Sequence, residues 1–388
     1  MPERKIRILV VDDSVVIRRI VTDALAADPG LEVVGVAANG RIALAKLSQL
    51  NPDLITLDLE MPEMDGLQTL SALRKSHKQL PVIMFSTVTE RGATATLEAL
   101  ARGANDYVTK PSNVDGAAAA VERVRAQLIP AIKAHCRALA APWSQPGTRL
   151  ISKSGAGAPR ELKPPDLYAP VEVVAIGVST GGPNALAEVL PRLPAGLPVP
   201  LVIVQHMPPI FTRLLAERLA SKSQIRVIEA RGGEAVEAGG AWIAPGDYHM
   251  ALQRNGTSVR ISTHKGSYEN SCRPSVDVLF RSVAEIYGPN ALGVILTGMG
   301  QDGLQGCERI RGAGGRILAQ DEATSVVWGM PGLVAQAGLA EGVFPIGDLA
   351  GEIVRRVSKY RTLVAQSPAG IEPRGEVSSD YAAQRRRI

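Results

Sequence analysis

The stretch AIGVSTGGP at residues 175–183 puts a serine where an apolar run ends. Residues 171–178 read as a buried strand, and the two glycines and proline after Ser179 read as a tight turn opening a helix. Residues 177–181 fit G-x-S-x-G, the turn that lifts a nucleophilic serine above a sheet. A helix start also offers free N–H groups and the positive end of a dipole, which suit an oxyanion or a phosphate alike. Walker A is absent, because no Gly-Lys-Ser/Thr follows. On the turn alone, a nucleophile elbow, an anion site and a plain tight turn fit equally well.

A nucleophilic serine needs a base, and the base needs an orienting acid. The chain has five histidines. His77 and His135 lie in the first part of the sequence, and His249 and His264 in a stretch that reads as hairpin. His206 directly follows the apolar run PLVIVQ, so it stands at a strand's carboxyl end, on the same rim as Ser179. Asp302, in GMGQDG after ALGVILT, reaches that rim too. The order Ser, His, Asp differs from the Ser, Asp, His order of α/β-hydrolases, so the same chemistry would stand on a separate fold. A rival reading exists. Residues 298–303 also fit the dinucleotide fingerprint G-x-G-x-x-G, with Asp321 lying 18 residues beyond the last glycine. Against it, the motif comes last among the strands. Its third variable slot holds an acid, Asp302, where a pyrophosphate would meet like charge. It also leaves Ser179 and His206 unexplained.

A second group of chemical residues lies near the start. Asp12 and Asp13 end a first strand, Asp58 a third, Ser86 a fourth and Lys110 a fifth. In an open parallel sheet these ends converge. Two unit charges 4 Å apart repel by roughly 4 kcal/mol at an effective dielectric of 20, so three carboxylates call for a divalent cation. All-oxygen ligands favour magnesium. A carboxylate beside such an ion can accept a phosphoryl group.

The elements that must position these residues follow from apolar periodicity. Residues 5–124 alternate IRILVVD, LEVVGVA, DLITLDL, PVIMFST and DYVTKP with helical stretches, which predicts a doubly wound, flavodoxin-like parallel sheet. An alanine-rich helix around residues 116–139 closes it. Residues 141–170 hold six prolines among Gly, Ser and basic residues, a linker composition. A second α/β unit follows, with strands in VEVVAIGV, PLVIVQ, IRVIEA, ALGVILT and GRILAQ, and AWIAPGDYHMALQRNGTSVRIST as antiparallel hairpin turning at RNGT. The expected divisions are 1–125, 126–170 (closing helix and linker), 171–365, and a polar, disordered tail at 366–388.

The bulk numbers are ordinary for a globular protein, and a cytoplasmic location is expected. The chain of 388 residues is 45% hydrophobic and 21% charged, and has no 18-residue apolar run, so it is not expected to be an integral membrane protein. Its start lacks a signal core. Cys136, Cys272 and Cys307 are too scattered for a disulfide framework or a zinc site. A net charge of +5 with only 4% aromatics and no basic stripe argues against nucleic acid.

VVDDS, LDLEMPEMDG, MFS and VTKP together resemble the receiver domain of bacterial response regulators. That resemblance implies that Asp58 takes phosphate from a chemotaxis histidine kinase. Asp12 and Asp13 would hold Mg2+ with Asp58, Ser86 and Lys110 would contact the phosphoryl group, and Tyr107 would be a switch aromatic. AIGVSTGGP, VIVQHMPPIFT, APGDYHM, RPSVDVLF and LTGMGQDG resemble the catalytic domain of the chemotaxis protein-glutamate methylesterase/protein-glutamine glutaminase family. The family implies Ser179 as nucleophile, His206 as base and acid, Asp302 as orienting acid, and the N–H of Met299 as an oxyanion donor. By the logic of the elbow, the N–H of Thr180 is a second donor. The implied substrates are glutamate methyl esters, and glutamines, on methyl-accepting chemoreceptors, with no cofactor for the hydrolysis itself. An unphosphorylated receiver is expected to occlude Ser179.

Overall fold

In the computed structural model, residues 4–111, 116–136 and 169–366 are described. Residues 137–168 of the expected closing helix and linker and 367–388 of the expected tail lie outside these residues. Strands β1 (Ile6–Val11), β2 (Leu31–Ala37), β3 (Leu54–Asp58), β4 (Val82–Ser86) and β5 (Asp106–Thr109) alternate with helices α1 (Val15–Ala26), α2 (Gly40–Leu50), α3 (Gly66–Ser76), α4 (Glu90–Ala101) and α5 (Ala117–His135). The strands form one parallel sheet in the order β2-β1-β3-β4-β5, as expected. Helices on both faces bury the central strands, so β3 and β4 run apolar with no alternation. Caps set the helix starts: Ser14 accepts from the Ile17 N–H, and Asp65 with Gln68 forms a capping box.

The second sheet contains β6 (Val173–Val178), β7 (Leu201–Gln205), β8 (Arg226–Glu229) and β9 (Gly240–Ile243). After the hairpin of β10 (His249–Asn255) and β11 (Ser258–His264) come β12 (Ala291–Ile295), β13 (Arg316–Gln320) and β14 (Gly342–Phe344). Its helices are α6 (Gly182–Val189), α7 (Phe211–Ala220), α8 (Val276–Tyr287), α9 (Leu304–Gly312), α10 (Met330–Gln336) and α11 (Ile346–Gln366). The sheet is parallel throughout, in the order β14-β13-β12-β6-β7-β9-β8. The hairpin stands apart, with its turn around Gly256. One part of the expected hairpin moves: AWI belongs to β9, which pairs with β7 and β8 in the parallel sheet. Trp242 is fully buried there.

The two sheets share an apolar contact. Helix α4 lies against α6 and α7, and Tyr107, just inside β5, stacks on Phe211 with ring centroids 5.0 Å apart and planes 9° from parallel. Arg218 donates to the Leu97 carbonyl, and Arg213 pairs with Glu90 at 2.8 Å. That ion pair is half open to water and worth at most about 1 kcal/mol. Stacked rings contribute about 0.5–1.5 kcal/mol beyond the area they bury, so the apolar contact dominates. A Leu97→Glu substitution, placing a charge in that contact, should enlarge the radius of gyration in small-angle scattering without loss of helix or sheet by circular dichroism. An unchanged radius would contradict this account of the contact.

Candidate active site

Strand order brings the chemistry together. Strand β6 lies between β12 and β7, so the loops after these three strands leave side by side at the switch point of the sheet. Ser179 follows β6, His206 follows β7, and residues 297–303 follow β12. The register pairs Val178 with Gln205, which makes Ser179 and His206 neighbours on the rim. Backbone bonds tie the loops: Ser179 N to Thr297 O at 3.0 Å, and His206 N to Val178 O at 3.2 Å. The Gln205 side chain donates to the Ser179 carbonyl at 2.9 Å. Gly181 takes φ +77°, left-handed backbone that most residues avoid, and so turns the chain from Ser179 into α6. Gly298 presses against the serine; a Cβ there would lie 2.8 Å from Ser179 Cβ. The amides of Thr180 and Met299 make no hydrogen bond with other described residues.

Asp302 is 3% exposed and its carboxylate is saturated. Oδ2 accepts from His206 Nε2 at 2.8 Å and from the Val276 amide at 2.6 Å. Oδ1 accepts from Ser275 Oγ at 2.8 Å, Asn270 Nδ2 at 3.0 Å and the Asp277 amide at 3.2 Å. Two of these donors are first-turn amides of α8, so Asp302 sits at that helix's positive end. Burial alone would lower the His206 pKa, but the bond to Asp302 and the contact with Cys272 outweigh it and hold the imidazole above its usual range. Burial would raise Asp302, and the imidazole and amide donors hold it below the usual carboxylate range instead. With Nε2–H given to Asp302, the basic nitrogen is Nδ1, which faces Cys272 Sγ at 3.7 Å. Ser179 and His206 are rim neighbours but share no hydrogen bond in this structure.

Sequence reasoning missed the shell behind this pair. Asp277 mirrors Asp302: it lies in α8 and accepts the Gly303 and Gly306 amides at the start of α9, at 3.0 and 2.6 Å. Burial first, then the nearby Asp302 charge, raises its pKa against the pull of those amides. Asn270 bridges the two carboxylates, 2.8 Å from Asp277 Oδ2 and 3.0 Å from Asp302 Oδ1. The only advance signal was Ser-x-Asp before the apolar run VDVLF, a helix-start pattern. His249 is buried, its ring held by Ser267 O and the Ser275 amide, and His264 packs beside it; among the described residues neither makes a hydrogen bond to Ser179. Arg273 pairs with Asp247 and donates to Gly266 O, an anchoring role. The dinucleotide reading finds no support: Asp302 is turned inward and fully bonded, and Asp321 caps its own turn through Thr324.

The acidic site forms at the other switch point, where β1 lies between β2 and β3. Asp12 and Asp58 are buried and Asp13 exposed, and one oxygen of each lies within 4.8 Å of the others. Lys110 Nζ is 2.8 Å from both Asp12 Oδ2 and Asp58 Oδ1. Burial and the Asp12 charge push the Asp58 carboxyl up to about 6, with Lys110 pulling against them. Asp13, Asp58, Thr87 and Lys110 line an adjoining cavity of about 220 Å³. Ser86 is not among its lining residues, although Thr87 and Gly92, whose carbonyls its hydroxyl reaches, are. Its hydroxyl accepts from Thr96 Oγ1 at 2.7 Å and donates to Gly92 O, inside the base of α4.

Comparison with known proteins covers both halves of the chain. The family model described as CheB methylesterase matches residues 174–353, and that of the response regulator receiver domain matches residues 8–122. A protein-glutamate methylesterase/protein-glutamine glutaminase from Trichodesmium erythraeum is 55% identical over 353 residues, 91% of this chain and 99% of its own length. One of the same name from Nocardioides sp. is 49% identical over 94% of this chain and 98% of its own length. The crystal structure of the Thermotoga maritima CheB methylesterase catalytic domain is 43% identical, with 48% of this chain and 98% of that one covered and a TM-score of 0.47. With near end-to-end identity of this size, the chain belongs to the CheB family of protein-glutamate methylesterases/protein-glutamine glutaminases, built from a response regulator receiver and a methylesterase domain.

Proposed function

We propose that this protein is a phosphorylation-activated hydrolase that removes methyl esters from glutamates of chemoreceptors, and deamidates glutamines there, in chemotaxis adaptation. The observation that carries the mechanism is the buried His206–Asp302 pair beside Ser179 at the switch point. Ser179 Oγ attacks the acyl carbon as His206 Nδ1 takes its proton. Asp302 holds the ring by Nε2–H and stabilises the imidazolium. The oxyanion forms against the free amides of Thr180 and Met299; one such donor is worth roughly 10²–10³ in rate. His206 returns the proton to the leaving methoxide or amide nitrogen, and methanol or ammonia departs. Water, deprotonated at the same nitrogen, then frees the acyl-serine.

Asp58 is the phosphoryl acceptor, supplied by a chemotaxis histidine kinase. The site fits Mg2+: Asp12, Asp13 and Asp58 converge, and Asp58 Oδ2 is buried without a hydrogen-bond partner. Bound there, the ion would offset the negative charge gathering as phosphate approaches. Lys110 bridges Asp12 and Asp58 and holds the remaining charge. The switch reaches the catalytic loops through α4, which rests on α6 and α7; these helices start just after Ser179 and His206. No helix among the described residues is long and apolar enough to cross a membrane, and a cytoplasmic place of action belongs to this reading.

Three outcomes follow. A Ser179→Ala variant with unchanged thermal unfolding should release methanol from methylated receptor at least about 10³-fold more slowly; full activity would end the serine assignment. A raised pKa keeps His206 protonated, and unable to accept the serine proton, to higher pH. Activity should therefore climb with pH through an apparent pKa above the usual 6.5, and Asp302→Asn should move that limb downward while slowing the reaction by roughly 10²–10⁴. A limb that stays in place would exclude the pair from catalysis. With a small phosphodonor and Mg2+, the native chain should accelerate, whereas Asp58→Asn should stay at its resting rate; acceleration of both would remove Asp58 from control.

A further inference from the structure

The three cysteines are not equivalent. Cys136 and Cys307 are buried, and burial pushes the first thiol up to about 12 and the second well above its usual range. Cys272 is half-buried, at the end of a sharp turn in which Asn270 and Ser271 both take positive φ. Its Sγ lies 3.7 Å from His206 Nδ1, the nitrogen not used by Asp302. Sulfur, imidazole and buried carboxylate therefore stand in line, the same nucleophile–base–acid order that the hydrolase needs with oxygen in place of sulfur. Ser179 shares no hydrogen bond with His206; the thiol stands between two acceptors, His206 Nδ1 at 3.7 Å and the Asn270 carbonyl at 3.4 Å.

We propose that Cys272 is a modification site for small, uncharged two-electron oxidants, hydrogen peroxide being the simplest, and that its oxidation removes His206 from the hydrolytic cycle. With Nδ1 unprotonated, the thiol proton passes to it as sulfur attacks, so that negative charge builds on sulfur beside an imidazolium, the setting that makes cysteines reactive. The Asn270 carbonyl, 3.4 Å from Sγ, opposes that charge, but it is one dipole against a full positive charge at similar range. Sulfur attacks one peroxide oxygen. The S–O bond forms, the O–O bond breaks, and the departing hydroxide takes the proton from Nδ1 and leaves as water. The thiol is oxidised to a sulfenic acid and the peroxide is reduced. The new S–O–H group stands before Nδ1, donates to it, and bars it from the serine proton. Reduction by an added dithiol restores the thiol. The loss of hydrolysis rests on the function proposed above; the reactivity of the thiol does not.

The test uses the full chain treated with hydrogen peroxide and trapped with dimedone, with peptide mass spectrometry reading each cysteine. Cys272 should be trapped at least about 10-fold faster than Cys136 or Cys307. His206→Gln should slow that trapping by a similar factor. Methanol release, read against each untreated protein, should fall about 10-fold on oxidation and return with dithiothreitol, whereas Cys272→Ser should keep most of its own untreated rate. Trapping of Cys272 no faster than the buried thiols, or unaffected by His206→Gln, would overturn the proposal. So would equal fractional loss of activity in the Cys272→Ser protein. If methylated receptor proves not to be a substrate, the two trapping rates still decide the matter.

Discussion

Two carboxylates exchanged between two helix starts hold the catalytic half together. Asp302, in the loop before α9, fills the amino end of α8; Asp277, in α8, fills the amino end of α9. Each satisfies amides that a helix start leaves without partners. Burying a carboxylate costs several kcal/mol. Hydrogen bonds to a charged group return about 1.5–3 kcal/mol each, and Asp302 accepts five. Asn270 keeps the two like charges apart. The imidazole breaks the symmetry: it faces Asp302 alone, so that carboxyl is driven down while Asp277 is driven up.

Much else hangs on this exchange. It anchors residues 298–303, and with them Gly298 against Ser179 and the free amide of Met299. It also fixes which nitrogen of His206 is basic, because Nε2 is committed to Asp302. On the other flank, Phe211 ends the loop that His206 begins, and Tyr107 of the first sheet stacks on it. The imidazole loop is thus held from inside by a carboxylate and from outside by a ring whose strand adjoins Lys110 and the acidic site.

The α/β class and the parallel sheets were legible because the long strands are continuous apolar runs ended by Gly, Pro or polar residues. So was the gathering of Ser179, His206 and Asp302 on one rim, which needed only that each follow such a run. Strands β9 and β14 were not legible. They are four and three residues long, and β9 pairs in parallel with both the preceding strand β8 and β7, which no local pattern reports. The shell of Asn270, Ser275 and Asp277 escaped notice because its partner lies 25 to 32 residues away, beyond α8 and β12. Ser86 sits at the strand end that its spacing indicated, but the inward turn of its hydroxyl toward Thr96 is a rotamer choice set by α4 packing. The contact of Cys272 with His206 depends on a left-handed turn at Asn270 and Ser271 that neither residue type announces.

Nitrogen-15 NMR of histidine-labelled protein tests the central claim most directly. His206 should show a proton on Nε2 that is strongly deshielded by Asp302, together with a non-protonated, basic Nδ1 at high pH, and Asp302→Asn should abolish that deshielding. A ring protonated on Nδ1 with a bare Nε2, or one that titrates as a free imidazole whether or not the carboxylate is present, would contradict the account.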